Sequence, residues 1–227
     1  MSAQLREGQS APRPRGLIGR DLARFGAWAL ILSVVQFFAL HLVVQSAWPK
    51  PYSWADNNIS DLGAVGCGPW EGDGRYVCSP LHAWMNAAFV AQGALLVAGL
   101  ALIGPLRRVL LTGTSLAFVS LAALGFVLAG LAPADANEGL HVLAAFAVFF
   151  FGNVGLIFAE NPVQADGGRP IRLFPRTLGT VGLVATALFM GKVWLVFGMR
   201  GMERLAVFPL QTWALLTGIS VLRRGKP

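Results

Sequence analysis

The chain has 227 residues, of which 55% are hydrophobic and only 13% charged. A soluble domain of ordinary composition is about 45–50% apolar and about 25% charged. Disorder, collagen, coiled coil and a soluble enzyme are therefore excluded, and an integral membrane protein is expected. The net charge of +7 does not point to nucleic acid, because the basic residues stand at the ends of apolar runs, where they act as topology signals.

Residues 1–25 are polar and carry Arg6, Arg13, Arg15, Arg20 and Arg24 with Pro12 and Pro14, the pattern of a short disordered basic tail. Six apolar runs follow, near 26–47, 82–104, 109–132, 140–159, 177–198 and 204–222. Each is about 19–24 residues long, enough for a helix to cross a hydrocarbon core of about 30 Å. The first exceeds a signal-peptide core of about 7–15 residues and lacks a clear cleavage site after it, so it reads as helix 1. The expected fold is an all-α integral membrane protein: a six-transmembrane-helix bundle over residues 26–222, followed by a basic tail at 223–227. No internal repeat or separate soluble domain is evident.

Residues 48–81 form a long polar loop, and residues 160–176 a medium one. The long loop holds Cys67 and Cys78. They form a disulfide if the loop faces an oxidising compartment, and two free thiols otherwise. Alternate crossings put thirteen Lys and Arg on the side of the termini and four on the other, namely Lys50, Arg75, Arg200 and Arg204. By the positive-inside rule both termini are expected in the cytoplasm, with the long loop outside or in the periplasm. The expected location is the cell membrane, plasma or inner.

Acidic residues divide the other way. Asp56, Asp61, Glu71, Asp73, Asp135, Glu138 and Glu203, seven of eleven, lie on the outer side. Several polar groups there stand at helix starts. His82 and Asn86 share a face of helix 2 at i, i+4, and Glu138 and His141 share one of helix 4 at i, i+3. Asn58, Ser60 and Asp61 lie in the long loop, and Glu203 with Arg204 leads into helix 6. A compact bundle is expected to gather them in one outer mouth. A His beside carboxylates can titrate near neutral pH, as acid–base chemistry requires. Asp61, His82, Glu138 and His141 are therefore the candidate catalytic residues. Asn58, Ser60, Asn86, Lys192, Glu203 and Arg204 are the candidate ligand-binding residues.

Plainer readings stand beside these. A histidine at a helix start can simply hydrogen-bond a neighbouring loop, and Asn58 to Gly63 suits an Asx or Ser/Thr turn. His41 reads as a helix-neighbour hydrogen bond. Lys192 reads as lying inside helix 5, roughly 9 Å below its outer end. There it snorkels to the headgroups or pairs with Asp61 or Glu203. Glu-x-x-His is the spacing of di-iron bundles, which need two copies where this chain has one. A single divalent metal at His82 and His141 stays as a secondary option. The Gly-x-Ser-x-Gly elbow, the P-loop and the dinucleotide fingerprint are missing.

Pro51-Tyr52-Ser53 and Asn57-Asn58-Ile59-Ser60-Asp61-Leu62-Gly63, with Asn86, His141, Gly201-Met202-Glu203-Arg204 and Trp213, carry a family likeness. Over roughly residues 26–222 the chain resembles a prokaryotic six-helix membrane family called domain of unknown function 998. A fainter similarity links it to the DRAM-like family, which also has an Ile-Ser-Asp segment after helix 1 and a later His at a helix start. Some DRAM-like members are implicated in GPI-anchor lipid remodelling, which implies lipid-related work at the non-cytoplasmic face. This chain departs from that family by its Cys67–Cys78 insertion and by lacking a histidine pair before helix 4.

Two readings lead. One is an intramembrane enzyme acting on a lipid or lipid-linked headgroup at the outer leaflet. The other is a non-catalytic lipid- or small-molecule-binding protein or accessory subunit. The lipid bilayer is its expected surrounding, and nucleic acid is not an expected partner. A transporter ranks lower, because transport sites lie near the midplane on broken helices, whereas the charges here gather at one face.

Overall fold

The computed structural model describes residues 15–71, 73–104, 111–160, 173–193, 195 and 198–224. Each apolar run becomes a helix: α1 (Arg15–Ser46), α2 (His82–Leu102), α3 (Gly113–Leu131), α4 (Glu138–Ile157), α5 (Leu173–Met190) and α6 (Gly198–Arg224). All six are long and apolar enough to cross a membrane. The chain is a multi-pass membrane protein. Exposed side chains such as Phe25, Trp28, Leu32 and Val35 on α1 and Leu121 and Leu124 on α3 are large and apolar. Helices apolar on every side suit packing inward and lipid outward.

The helices close into a ring in which each packs against its sequence neighbours and α6 returns to α1. Small residues permit the close approach of α1 and α2. A Cβ on Gly26 would lie 2.7 Å from the Ile103 nitrogen, and one on Gly99 would lie 2.6 Å from Leu30 Cγ. Such seams replace the hydrophobic drive that helices lack in lipid. Leu30, Phe37, Met85, Leu96, Phe126, Leu156 and Trp213 fill the centre. Asn153 is buried among them, and its amide donates to the Phe149 carbonyl (2.6 Å) and the Ala206 carbonyl (2.7 Å). That second bond ties α4 to α6. One turn of α4, Ala147–Phe151, is a π-helix, with Val148 and Phe149 buried.

Three helices differ most from their expected spans, the sixth by beginning at Gly198 instead of 204. The first begins at Arg15, because elongating a helix past the apolar run costs little once it is nucleated. Residues 15–25, expected in the tail, are therefore helical, while residues 1–14 lie outside the described residues. So do the basic turn at 105–108, most of the 160–176 loop, and 225–227. The fifth helix stops at Met190 instead of running to 198. The Val193 N–H donates to the Leu188 carbonyl (2.9 Å) and the Lys192 N–H to that of Phe189 (3.2 Å). This is the paired-bond stop that closes a helix, with Lys192 in the left-handed position at φ 54°. Lys192 therefore stands in the turn after α5, not inside the helix.

Alternate crossings bring the connections α1–α2, α3–α4 and α5–α6 to one end, called here the mouth. The first connection is the longest. It contains a 3-10 turn at Ser60–Gly63 and a hairpin of β1 (Cys67–Pro69) and β2 (Tyr76–Cys78). The strands are antiparallel, with Cys67 opposite Cys78, and a disulfide joins these two residues.

Candidate functional site

The Ser60–Gly63 turn is the buried centre of the mouth, and every element around it holds it. The Ile59 N–H donates to Glu203 Oε2 on α6 (2.9 Å). Asn86 on α2 donates to the Gly63 carbonyl (2.9 Å), and the Ser79 hydroxyl to that of Leu62 (2.6 Å). A Cβ on Gly63 would collide with the Asn86 amide, which is why glycine ends the segment. Asp61 points inward and has no solvent exposure. Its Oδ2 accepts from the Asn58 N–H at 2.9 Å.

Arg75, at the end of the hairpin turn, meets Asp61 as a fork: Nε to Oδ2 at 3.0 Å and Nη2 to Oδ1 at 2.9 Å. Its Nη1 reaches both Asp73 oxygens at 2.9 and 2.8 Å, and its guanidinium lies 4.6 Å from the centre of the Trp70 ring. Arg200 of α6 binds Asp73 from the other side. The alternating chain Asp61–Arg75–Asp73–Arg200 thus fastens the hairpin to the bundle. Burial pushes the Asp73 carboxyl upward, but the Arg75 hydrogen bonds and charge, with the Arg200 bond, outweigh it and hold the group below the usual range. Burial lowers the Arg75 value, and its bonds and attraction to Asp61, then Asp73, more than reverse this.

Arg204 does separate work. Its Nη1 donates to the Asn57 and Arg200 carbonyls, both at 3.0 Å, and its Nη2 to the Tyr52 hydroxyl. Trp54 faces the guanidinium at 5.0 Å. The Tyr52 hydroxyl donates onward to the Asn58 carbonyl at 2.9 Å. Burial drives the Tyr52 phenol far above its ordinary value despite the Arg204 charge, so the hydroxyl stays protonated and keeps donating.

Beside the turn lies a cavity of about 550 Å³. Its rim is charged, with Asp73, Arg75, Glu138, Lys192 and Arg200, while the Glu203 carboxyl is buried deeper. Its inner wall is apolar, with Val142, Ala145, Phe146 and Phe149 of α4 and Phe189 and Met190 of α5. From Glu138 to Phe149 the wall descends about 16 Å along α4, at 1.5 Å per residue. A smaller void of about 30 Å³, shared by His141, Phe149 and Glu203, continues from it.

Of the residues singled out in the sequence, Asn58, Ser60, Glu138, His141, Lys192 and Glu203 line this cavity. Asp61 sits behind it and connects to it through Arg75. His82, Asn86 and Arg204 are not among its walls. His82 turns Nδ1 to the Ser79 carbonyl at 3.0 Å, a local contact at the start of α2. His141 turns Nδ1 to the Ala132 carbonyl at 2.8 Å, which leaves Nε2 as its other polar atom. Lys192 forms no salt bridge to Asp61 or Glu203, and His41 finds no hydrogen-bond partner among the described residues. Its ring instead lies near those of Phe37, Tyr52 and Trp54. Among the described residues no three His, Cys, Asp or Glu side chains converge as a metal site would need.

Tyr52, Trp70, Asp73, Arg75 and Arg200 were not picked out as site residues from the sequence. The charge count held a signal for the two arginines. They stand on the cation-poor side of the bundle, against the bias that governs loops, so a specific partner is the natural reason to keep them there.

The model of the family described as "Protein of unknown function (DUF998)" matches residues 25–220. No curated protein and no solved structure matches the chain, and the DRAM-like similarity receives no support from these comparisons.

Proposed function

The chain belongs to the DUF998 family, and we propose that its mouth binds, at the non-cytoplasmic face, the headgroup and upper chain of a membrane lipid or similar amphiphile. The supporting observation is the change in lining along one cavity, from charged groups at the rim to Phe146, Phe149 and Phe189 below. Apolar pockets with a few converging polar groups are the usual form of a small-molecule site. A volume of about 550 Å³ takes a headgroup and part of a chain, with the remainder left in the bilayer.

One observation favours chemistry at the same place. The His141 imidazole and the Glu203 carboxylate line the same inner void, each held by a backbone partner. An imidazole and a carboxyl group opening on one void are groups of the kind that move protons in acid–base catalysis.

Native mass spectrometry of the detergent-purified protein tests both. One lipid-sized adduct is expected, and Ala145→Phe, which adds a ring to the wall, is expected to remove it without altering the elution profile. Added lipid converted to a lighter product would establish the catalytic reading. A protein without an adduct, or one whose adduct survives Ala145→Phe, would overturn the site.

A further inference from the structure

The cavity lining carries charges of both signs, and the Glu203 carboxyl among them is already met by the Ile59 N–H. Lys192 and Arg200 come from the α5–α6 turn and the start of α6. Glu71 and Glu138 come from the hairpin and the start of α4, where both also border a neighbouring cleft of about 350 Å³ that neither cation reaches. Glu71, Glu138 and Lys192 have no ion-pair partner among the described residues. Arg200 gives Nη2 to Asp73, while its buried Nε has no partner. Lys192 holds the left-handed position, at φ 54°, where glycine is usual. The backbone there is strained for a residue with a Cβ, and the side chain lines the cavity.

An anion would satisfy Lys192 and Arg200 but meet the two glutamates. A cation would do the reverse. Like charges brought together by a ligand disfavour it, so the best occupant carries both signs. We propose that the cavity selects a zwitterionic amphiphile, its phosphate toward Lys192 and Arg200 and its ammonium toward Glu71 and Glu138. This rests on reading the cavity as an amphiphile site, with the chain along Phe146 and Phe149. A primary ammonium fits best. Its N–H groups match carboxylate acceptors, and the nearby Trp70 ring that a quaternary ammonium would seek is already faced by Arg75 at 4.6 Å.

The test offers delipidated protein equimolar phosphatidylethanolamine and phosphatidylglycerol in mixed micelles, with retention read by native mass spectrometry. Phosphatidylethanolamine is expected to be kept about tenfold better, a difference of about 1.4 kcal/mol. Glu138→Lys is expected to reverse that order, and Lys192→Arg to preserve it. Where Glu138→Lys elutes abnormally, Glu71→Lys serves instead. Phosphatidylglycerol kept equally well or better would overturn the zwitterion assignment and leave the lipid site standing. Retention of neither lipid would overturn both. Soluble glycerophosphoethanolamine displacing the lipid at equal concentration would overturn the amphiphile and keep the headgroup chemistry.

Discussion

Asp61 is a carboxylate with no solvent exposure, and a buried charge is tolerated only where it is paired and hydrogen-bonded. The Arg75 fork and the Asn58 N–H meet that need. Arg75 is in turn balanced by Asp73, which Arg200 also holds. Asp73 is the most exposed member of this chain. Its folded pKa is depressed by Arg75 and Arg200 against the pull of burial, so the folded protein holds the proton less tightly than the unfolded chain. Its contribution is complete above the unfolded value of about 3.9 and is lost as pH falls through the lower folded value. Thermal unfolding in detergent is expected to show stability falling below about pH 4, with Asp73→Asn flattening that limb; equal slopes in both proteins would refute the assignment. Residue by residue, Asn58, Ser60, Glu138, His141 and Glu203 were legible because polar groups at the ends of apolar runs stand out in a membrane chain. Arg75 and Asp73 were not, since their pairing exists only once the hairpin turns back on Asp61, and the Gly-rich loop around them has no periodicity to read.

The hairpin is the element that turns these pairs into a cover over the cavity. It is short, only three residues per strand, and two-stranded ribbons of that size are marginal alone. The Cys67–Cys78 disulfide and the Arg75 anchor supply what the ladder cannot. Closing a loop of about a dozen residues contributes about 3 kcal/mol in the chain-entropy account. The double substitution Cys67→Ser, Cys78→Ser is therefore expected to destabilise by about that amount and to weaken retention of the amphiphile. Reductant is expected to bring the wild type to the same melting temperature, and a melting temperature indifferent to both treatments would show that the Arg75 anchor suffices. Helix number and order could be read from run length and polarity alone, because a bilayer demands both. The end of α5 could not. Apolar residues continue from Val193 to Phe197, and the closing left-handed residue is Lys192 in place of the glycine or asparagine that marks a helix stop.

For the whole molecule, we propose on two independent arguments that both termini face the cytoplasm and the mouth faces away from it. Six crossings put both termini on one side, and with Lys192 now counted at the mouth the basic residues divide thirteen to five, a bias that favours the cytoplasm for the side of the termini. The disulfide supports the same proposal from redox chemistry, because such bonds persist in the periplasm or outside the cell and are rare in the cytosol. Charge acts during insertion and oxidation acts on the finished loop, so neither argument borrows from the other. A green fluorescent protein fused after Pro227 is therefore expected to fluoresce, and alkaline phosphatase fused there to stay inactive. After mild reduction, an impermeant maleimide is expected to label Cys67 and Cys78 on intact spheroplasts. The reverse pattern would put the hairpin in a reducing compartment, leave Cys67 and Cys78 as thiols, and move the proposed headgroup site to the inner leaflet.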